Sequence, residues 1–181
     1  MILPEVKIKK ILYATDLSEG ARQAFAYAIN LANTYNAAIT ILHVLPGAGD
    51  LNVEPLIIRY IGKENWLEIK KRNYDDARSV LINKQRERNA IKEALHQFTE
   101  NLKDEQRSQH SMTDEILIEE GQNPVDVILK QADKKNCDLI VMGTRGLGTI
   151  AEALIGSTAR RVIRHSQKPV FVVPFQKMPS H

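Results

Sequence analysis

The chain holds a single cysteine, Cys137, among 181 residues. One thiol excludes an internal disulfide framework and fits a reducing compartment. It heads an apolar run, Cys137-Asp-Leu-Ile-Val-Met142, so its expected role is a small buried hydrophobe rather than a reactive thiol. No stretch approaches the ~18 uninterrupted apolar residues that a membrane span needs. The opening segment, Met1-Ile-Leu-Pro-Glu-Val-Lys7, lacks the long apolar core of a secretion signal. The expected location is therefore cytoplasmic. His96, His110, His165 and His181 are scattered without ligand spacing, which argues against a dedicated metal site. A formal net charge of +3 is too small to imply a nucleic-acid surface. The basic-looking Lys84-Gln-Arg-Glu-Arg-Asn89 mixes signs, as a solvated helix face does. No Gly-Lys-Ser/Thr of a Walker loop occurs, and the turn Ala14-Thr-Asp-Leu-Ser-Glu-Gly20 lacks the glycines of a dinucleotide fingerprint.

What remains is an ordinary globular composition, 43% hydrophobic and 26% charged, in a length that suits one well-buried domain over residues 1–181. Apolar runs alternate between strand-like and helical spacing. Lys7 to Ala14 reads as a first strand. Ser18 is a candidate N-cap, followed by Ala21, Ala24, Phe25, Ala28 and Ala32 at helical intervals. Ala38 to Val44 is a second strand, closed by Pro46-Gly-Ala-Gly49. A long helix is expected from about Asp75 to Gln106, with Ile91, Leu95, Phe98 and Leu102 as its apolar stripe. Glu115 to Glu119 is a third strand. Asn123-Pro124 starts a helix, with Asn as cap and Pro at the first helical position. Leu139 to Met142 is a fourth strand, Ser157 to His165 a further helix, and Val170 to Val173 a fifth strand. This alternation predicts an α/β fold, a parallel sheet with helices on both faces. In such sheets a ligand lies beyond the carboxyl ends of the strands, where strand order reverses.

An inserted amphipathic, helical segment of about 47–76 interrupts this pattern. Within it, Leu56, Ile57, Ile58, Tyr60, Ile61, Trp66, Leu67 and Ile69 are too apolar for an idle loop. Cover over the sheet edge, a dimer arm, a lid and a partner-docking surface all fit that pattern.

The chemistry concentrates in Gly143-Thr-Arg-Gly146-Leu-Gly-Thr-Ile-Ala-Glu-Ala-Leu-Ile-Gly156-Ser157-Thr158. A strand that ends in glycines and feeds a helix N-terminus suits an anion, because bare amides can approach it and the first helix donors point at it. Ser157 and Thr158 add hydroxyls, and Arg145 would supply forked donors to phosphate oxygens. Asp16, at the end of the first strand, is a candidate either for a ribose or metal-water contact or for bracing its own turn. His43 reads as a packed strand histidine, since no nucleophile or acidic partner stands nearby in sequence.

Ile11-Leu-Tyr-Ala-Thr-Asp16-Leu-Ser18, Leu42-His-Val44, the Gly-x-x-Gly-x9-Gly-Ser run and Lys168-Pro-Val-Phe-Val-Val-Pro174 together resemble the universal stress protein family, in its ATP-binding subgroup. The resemblance implies a doubly wound, Rossmann-like five-stranded sheet of order 3-2-1-4-5 and an adenine nucleotide bound across its crevice. It implies that Ala14, Thr15 and Asp16 approach the ribose and adenine, that the Val44 main chain meets the adenine edge, and that Met142 and Gly143 lie against the nucleotide. It further places Arg145, Gly146, Gly156, Ser157 and Thr158 at the phosphates, and a homodimer through Val170–Val173. Leu147-Gly148 stands where ATP-binding members often carry a polar or basic residue. Mg²⁺ or Mn²⁺ would arrive held mainly by the phosphates.

No nucleophile–base pair, carboxylate pair or general base stands beside the loop. The leading expectation is thus a nucleotide-dependent regulator, a molecular switch in stress response with an unknown protein partner and at most weak ATP hydrolysis. The alternatives are a slow ATPase or adenylate-transferring enzyme, and a non-catalytic dimeric interaction module.

Overall fold

Five short apolar runs form one parallel sheet, and their alternating side chains divide the molecule into two cores. The computed structural model describes residues 5–45, 54–74, 80–106, 113–144 and 155–176. The strands are β1 (Lys10–Thr15), β2 (Ala38–Leu45), β3 (Thr113–Glu120), β4 (Leu139–Gly143) and β5 (Val170–Val173). They lie in the order β3-β2-β1-β4-β5, as the resemblance implies. The helices are α1 (Glu19–Tyr35), α2 (Glu54–Ile61), α3 (Lys63–Tyr74), α4 (Val80–Gln106), α5 (Pro124–Lys134) and α6 (Ser157–His165).

Strand side chains point alternately to opposite faces. Ile11, Tyr13, Ile39, Ile41, Ile116, Ile118, Leu139 and Val141 therefore pack with α1 and α4. Leu12, Ala14, Leu42, Ile140 and Met142 pack with α5 and α6 on the other face. Strands buried on both faces read as near-continuous apolar runs, which is why β1, β2 and β4 are so plain in the sequence. Tyr13, Phe25 and Phe98 stack in series through the first core, with centroids 4.8 and 5.6 Å apart.

Strand and helix ends differ from the sequence reading in ways that have local causes. β1 begins at Lys10 rather than Lys7, because the amides of Lys9 and Lys10 bond to the Asp138 carboxylate at 2.8 and 3.0 Å. It extends past Ala14, since pairing with β2 continues to Thr15↔His43. Ser18 caps α1 by accepting from the Ala21 amide at 3.2 Å, and Asn123 caps α5 by accepting from the Val125 amide at 3.2 Å.

The inserted segment contributes α2 and α3, joined at Gly62, whose φ of +83° a side chain would strain. Ile57, Ile61, Trp66 and Ile69 bury into the same core as Ile91, Leu95 and Phe98 of α4. These four side chains thus point inward, against α4. Leu67 faces out.

Candidate functional site at the carboxyl ends of β1 and β4

Strand order reverses at β1, which has β2 on one side and β4 on the other. The carboxyl ends of these three strands carry most of the residues expected in the site. Ala14 pairs with Met142 across β1 and β4, and Val44 lies two residues beyond the Leu42 that pairs with Ala14 from β2. Ala14, Met142 and Val44 share the α5 and α6 face.

The turn after β1 is closed by its own side chains. Thr15 Oγ1 accepts from the Leu17 amide at 3.1 Å, and Asp16 Oδ1 accepts from the Ser18 amide at 3.0 Å. Leu17 adopts φ +64°, a left-handed conformation that disfavours branched and bulky side chains. Its side chain is fully buried, which offsets that strain. One Asp16 oxygen thus braces the turn, the plainer of the two roles expected for that residue.

His43 completes the turn from the neighbouring strand. Its Nδ1 lies 2.9 Å from the Thr15 carbonyl, and the side chain is buried. Burial pushes the imidazolium below the usual histidine range; the Thr15 carbonyl and the Asp16 carboxylate oppose the shift but do not reverse it. Sequence reasoning set this residue aside as packing. A histidine between Ile41 and Leu45 on the inward face of the strand was the available signal.

The end of β4 is built differently. A Cβ on Gly143 would sit 3.0 Å from the Gly20 carbonyl oxygen and 3.3 Å from the Ala21 amide, so this glycine lets the strand tip meet the start of α1. Thr144 is a backbone junction. Its amide donates to the Val173 carbonyl at 2.8 Å, its hydroxyl accepts from the Phe175 amide at 3.1 Å, and its carbonyl accepts from the Gly156 amide at 2.6 Å. That last bond ties the start of α6 to the tip of β4. Gly156 is the N-cap, with φ −63° and ψ 156°, and no side chain caps the helix there. Intrahelical bonding begins with the Arg160 amide donating to the Gly156 carbonyl at 3.0 Å. The first-turn amides, including those of Ser157 and Thr158, precede that bond and have no intrahelical partner. Arg145 and Gly146 lie outside the described residues.

The structure therefore brings Ala14, Thr15, Asp16, Val44, Met142, Gly143, Gly156, Ser157 and Thr158 to one end of the sheet. Among the described residues, no group of three His, Cys, Asp or Glu could hold a metal ion. Cys137 is buried at the opposite end of β4, and burial pushes its thiol up to about 11.

Comparison with known proteins places this geometry. The profile of the universal stress protein family matches residues 7–174. The universal stress protein MJ0577 of Methanocaldococcus jannaschii is 30% identical over 179 residues, covering 93% of this chain and 96% of its own. Its solved structure aligns with a TM-score of 0.60 at 25% identity, over 96% of this chain and all of the other. The universal stress protein UspA from Lactobacillus plantarum aligns with a TM-score of 0.64 at 20% identity, over 93% of this chain and 99% of the other, and shows the fold alone. A universal stress protein solved in complex with cAMP likewise shares the fold, with a TM-score of 0.51 at 22% identity and coverage of 93% and 98%. With the profile spanning nearly its whole length and the strand order matching, the chain belongs to the universal stress protein family.

Proposed function

We propose that this protein binds an adenine nucleotide, ATP in the first instance, across the carboxyl ends of β1 and β4, and acts as a nucleotide-dependent regulator in stress response. The observation that carries the reading is the glycine-capped start of α6, tied to the tip of β4 and, among the described residues, without a side-chain cap hydrogen bond at Gly156. Such a helix end presents bare amides and the positive end of its dipole to an anion. Ser157 and Thr158 would add hydroxyl donors, Arg145 and Gly146 would complete the phosphate loop, and Ala14, Thr15, Asp16, Val44, Met142 and Gly143 would form the nucleoside wall. The stress protein solved with cAMP supports only the shared fold, so the nucleotide reading stands on this helix end and on the glycine–serine run.

A Mg²⁺ or Mn²⁺ ion would enter with the phosphates, which supply its oxygen ligands. We read the site as one for recognition, with weak hydrolysis at most: among its described residues the groups are binding groups. Ligand binding would change the surface shown to a protein partner at this end of the sheet. A cytoplasmic location fits the single buried thiol.

We further read β5 as a homodimer edge. It ends the sheet, and Phe171 stands 38% exposed beside Tyr27, centroids 6.0 Å apart. An unpaired edge with an exposed aromatic is a template for a second copy. Equilibrium dialysis with labelled ATP tests the central reading. Wild type should bind and Gly156→Val should not; no binding by wild type, or equal binding by both, defeats it.

A further inference from the structure

His43 sits where a leucine or isoleucine would be easier to bury. Ile39 and Ile41 occupy the two preceding positions on the same face of β2. The ring is 4% exposed, and its Nε2 has no hydrogen-bond partner among the described residues. Orphaned acceptors in a core oppose folding, so the other ring nitrogen must return something. A neutral imidazole carries one N–H, and a carbonyl only accepts, so the proton sits on Nδ1 and is donated to Thr15.

Thr15 is the last residue of β1 in register with β2, so the ring donates to a carbonyl at the end of that ladder. The register of β1 with β4 ends at Ala14↔Met142, and the register with β2 ends at Thr15↔His43. Thr15 is buried and begins the turn that carries the left-handed Leu17. The Thr15 hydroxyl and the Asp16 carboxylate hold the next two amides of the same turn. His43 is therefore a side-chain contact from outside the turn, made to its first peptide plane beside the end of the β1–β2 ladder.

We propose that His43 is a positioning residue for ligand binding: its Nδ1–H holds the Thr15 carbonyl, and through it the turn that presents Asp16 at the mouth of the site. This rests on the reading of Ala14 to Asp16 as the nucleoside wall. Two isosteric amides separate the bond from mere polarity. Asparagine can place its Nδ2 donor where Nδ1 lies, whereas the glutamine amide reaches the place of Nε2.

In ligand-free protein, His43→Asn should keep the hydrogen-exchange protection of the Leu17 and Ser18 amides, and His43→Gln and His43→Leu should lose it about tenfold, the worth of one net hydrogen bond. ATP affinity should follow the same order. Nitrogen-15 shifts of the wild-type ring should show Nδ1 protonated and Nε2 bare. An Nε2-protonated ring, or a glutamine variant as well protected as the asparagine one, overturns the proposal. If wild type binds no ATP, the nucleotide reading fails by itself, and the exchange order still decides the role of His43.

Discussion

The two helix starts at the working end of the sheet solve the same problem in opposite ways. Each leaves first-turn amides without intrahelical acceptors. At α1 the cap side chain Ser18 Oγ takes the Ala21 amide of the first turn, and Asp16 Oδ1 and Thr15 Oγ1 take the Ser18 and Leu17 amides of the turn that leads into it. At α6 the cap is Gly156, and no side chain takes its place. In the proposed reading the side-chain-capped turn is the scaffold and the glycine-capped turn receives the ligand. The first can be read as the rigid wall against which the second holds a ligand.

Three substitutions break or sharpen that contrast. The largest stability effect is expected at the junction of the two turns. Gly143→Val puts a side chain against the Gly20 backbone, 3.0 Å away at its Cβ, and should cost about 1–3 kcal/mol in urea unfolding. A loss under a few tenths would mean that β4 and α1 are not tightly apposed. Ser18→Ala removes an acceptor from the closed turn and should cost ~1 kcal/mol, measured in the same way. The smallest effect concerns pH. His43 binds a proton less readily folded than unfolded, so the unfolded chain holds more protons and stability rises with pH. The contribution is complete above the ordinary histidine value near 6.5 and is lost as pH falls below it towards the depressed folded value. Wild type should therefore lose more stability between pH 7.5 and 5.5 than His43→Asn does; parallel losses would show that His43 titrates normally.

Much of this layout was legible in the sequence because its determinants are local. Asn123-Pro124 and Ser18 announce their helices by cap chemistry, and both caps form. The order 3-2-1-4-5 followed from the family resemblance rather than from periodicity, and the register bears it out. Features that depend on tertiary partners were not legible. The start of β1 is set by Asp138, which lies 128 residues away from Lys10 in the chain. The destination of Ile57, Trp66 and Ile69 is set by α4, and helical spacing alone could not distinguish core cover from a lid or a dimer arm. The bond from His43 to Thr15 spans 28 residues and needs the β1–β2 register to be visible. Within the candidate site, the sequence could mark Gly156 as part of a glycine run. It could not show that Gly156 is the cap itself, or that its amide reaches the Thr144 carbonyl.

The open start of α6 is most directly tested by closing it. Gly156→Asp places a carboxylate where Ser18 and Asn123 put their acceptors in α1 and α5, at a backbone geometry, φ −63° and ψ 156°, that any residue adopts. Titration calorimetry with ATP and Mg²⁺ should show binding by wild type and a loss on the order of 2 kcal/mol, about thirtyfold, in the variant. Its unfolding free energy should meanwhile hold or rise by a few tenths of a kcal/mol. Undiminished ATP binding with the cap filled would contradict the assignment of these amides to the phosphates.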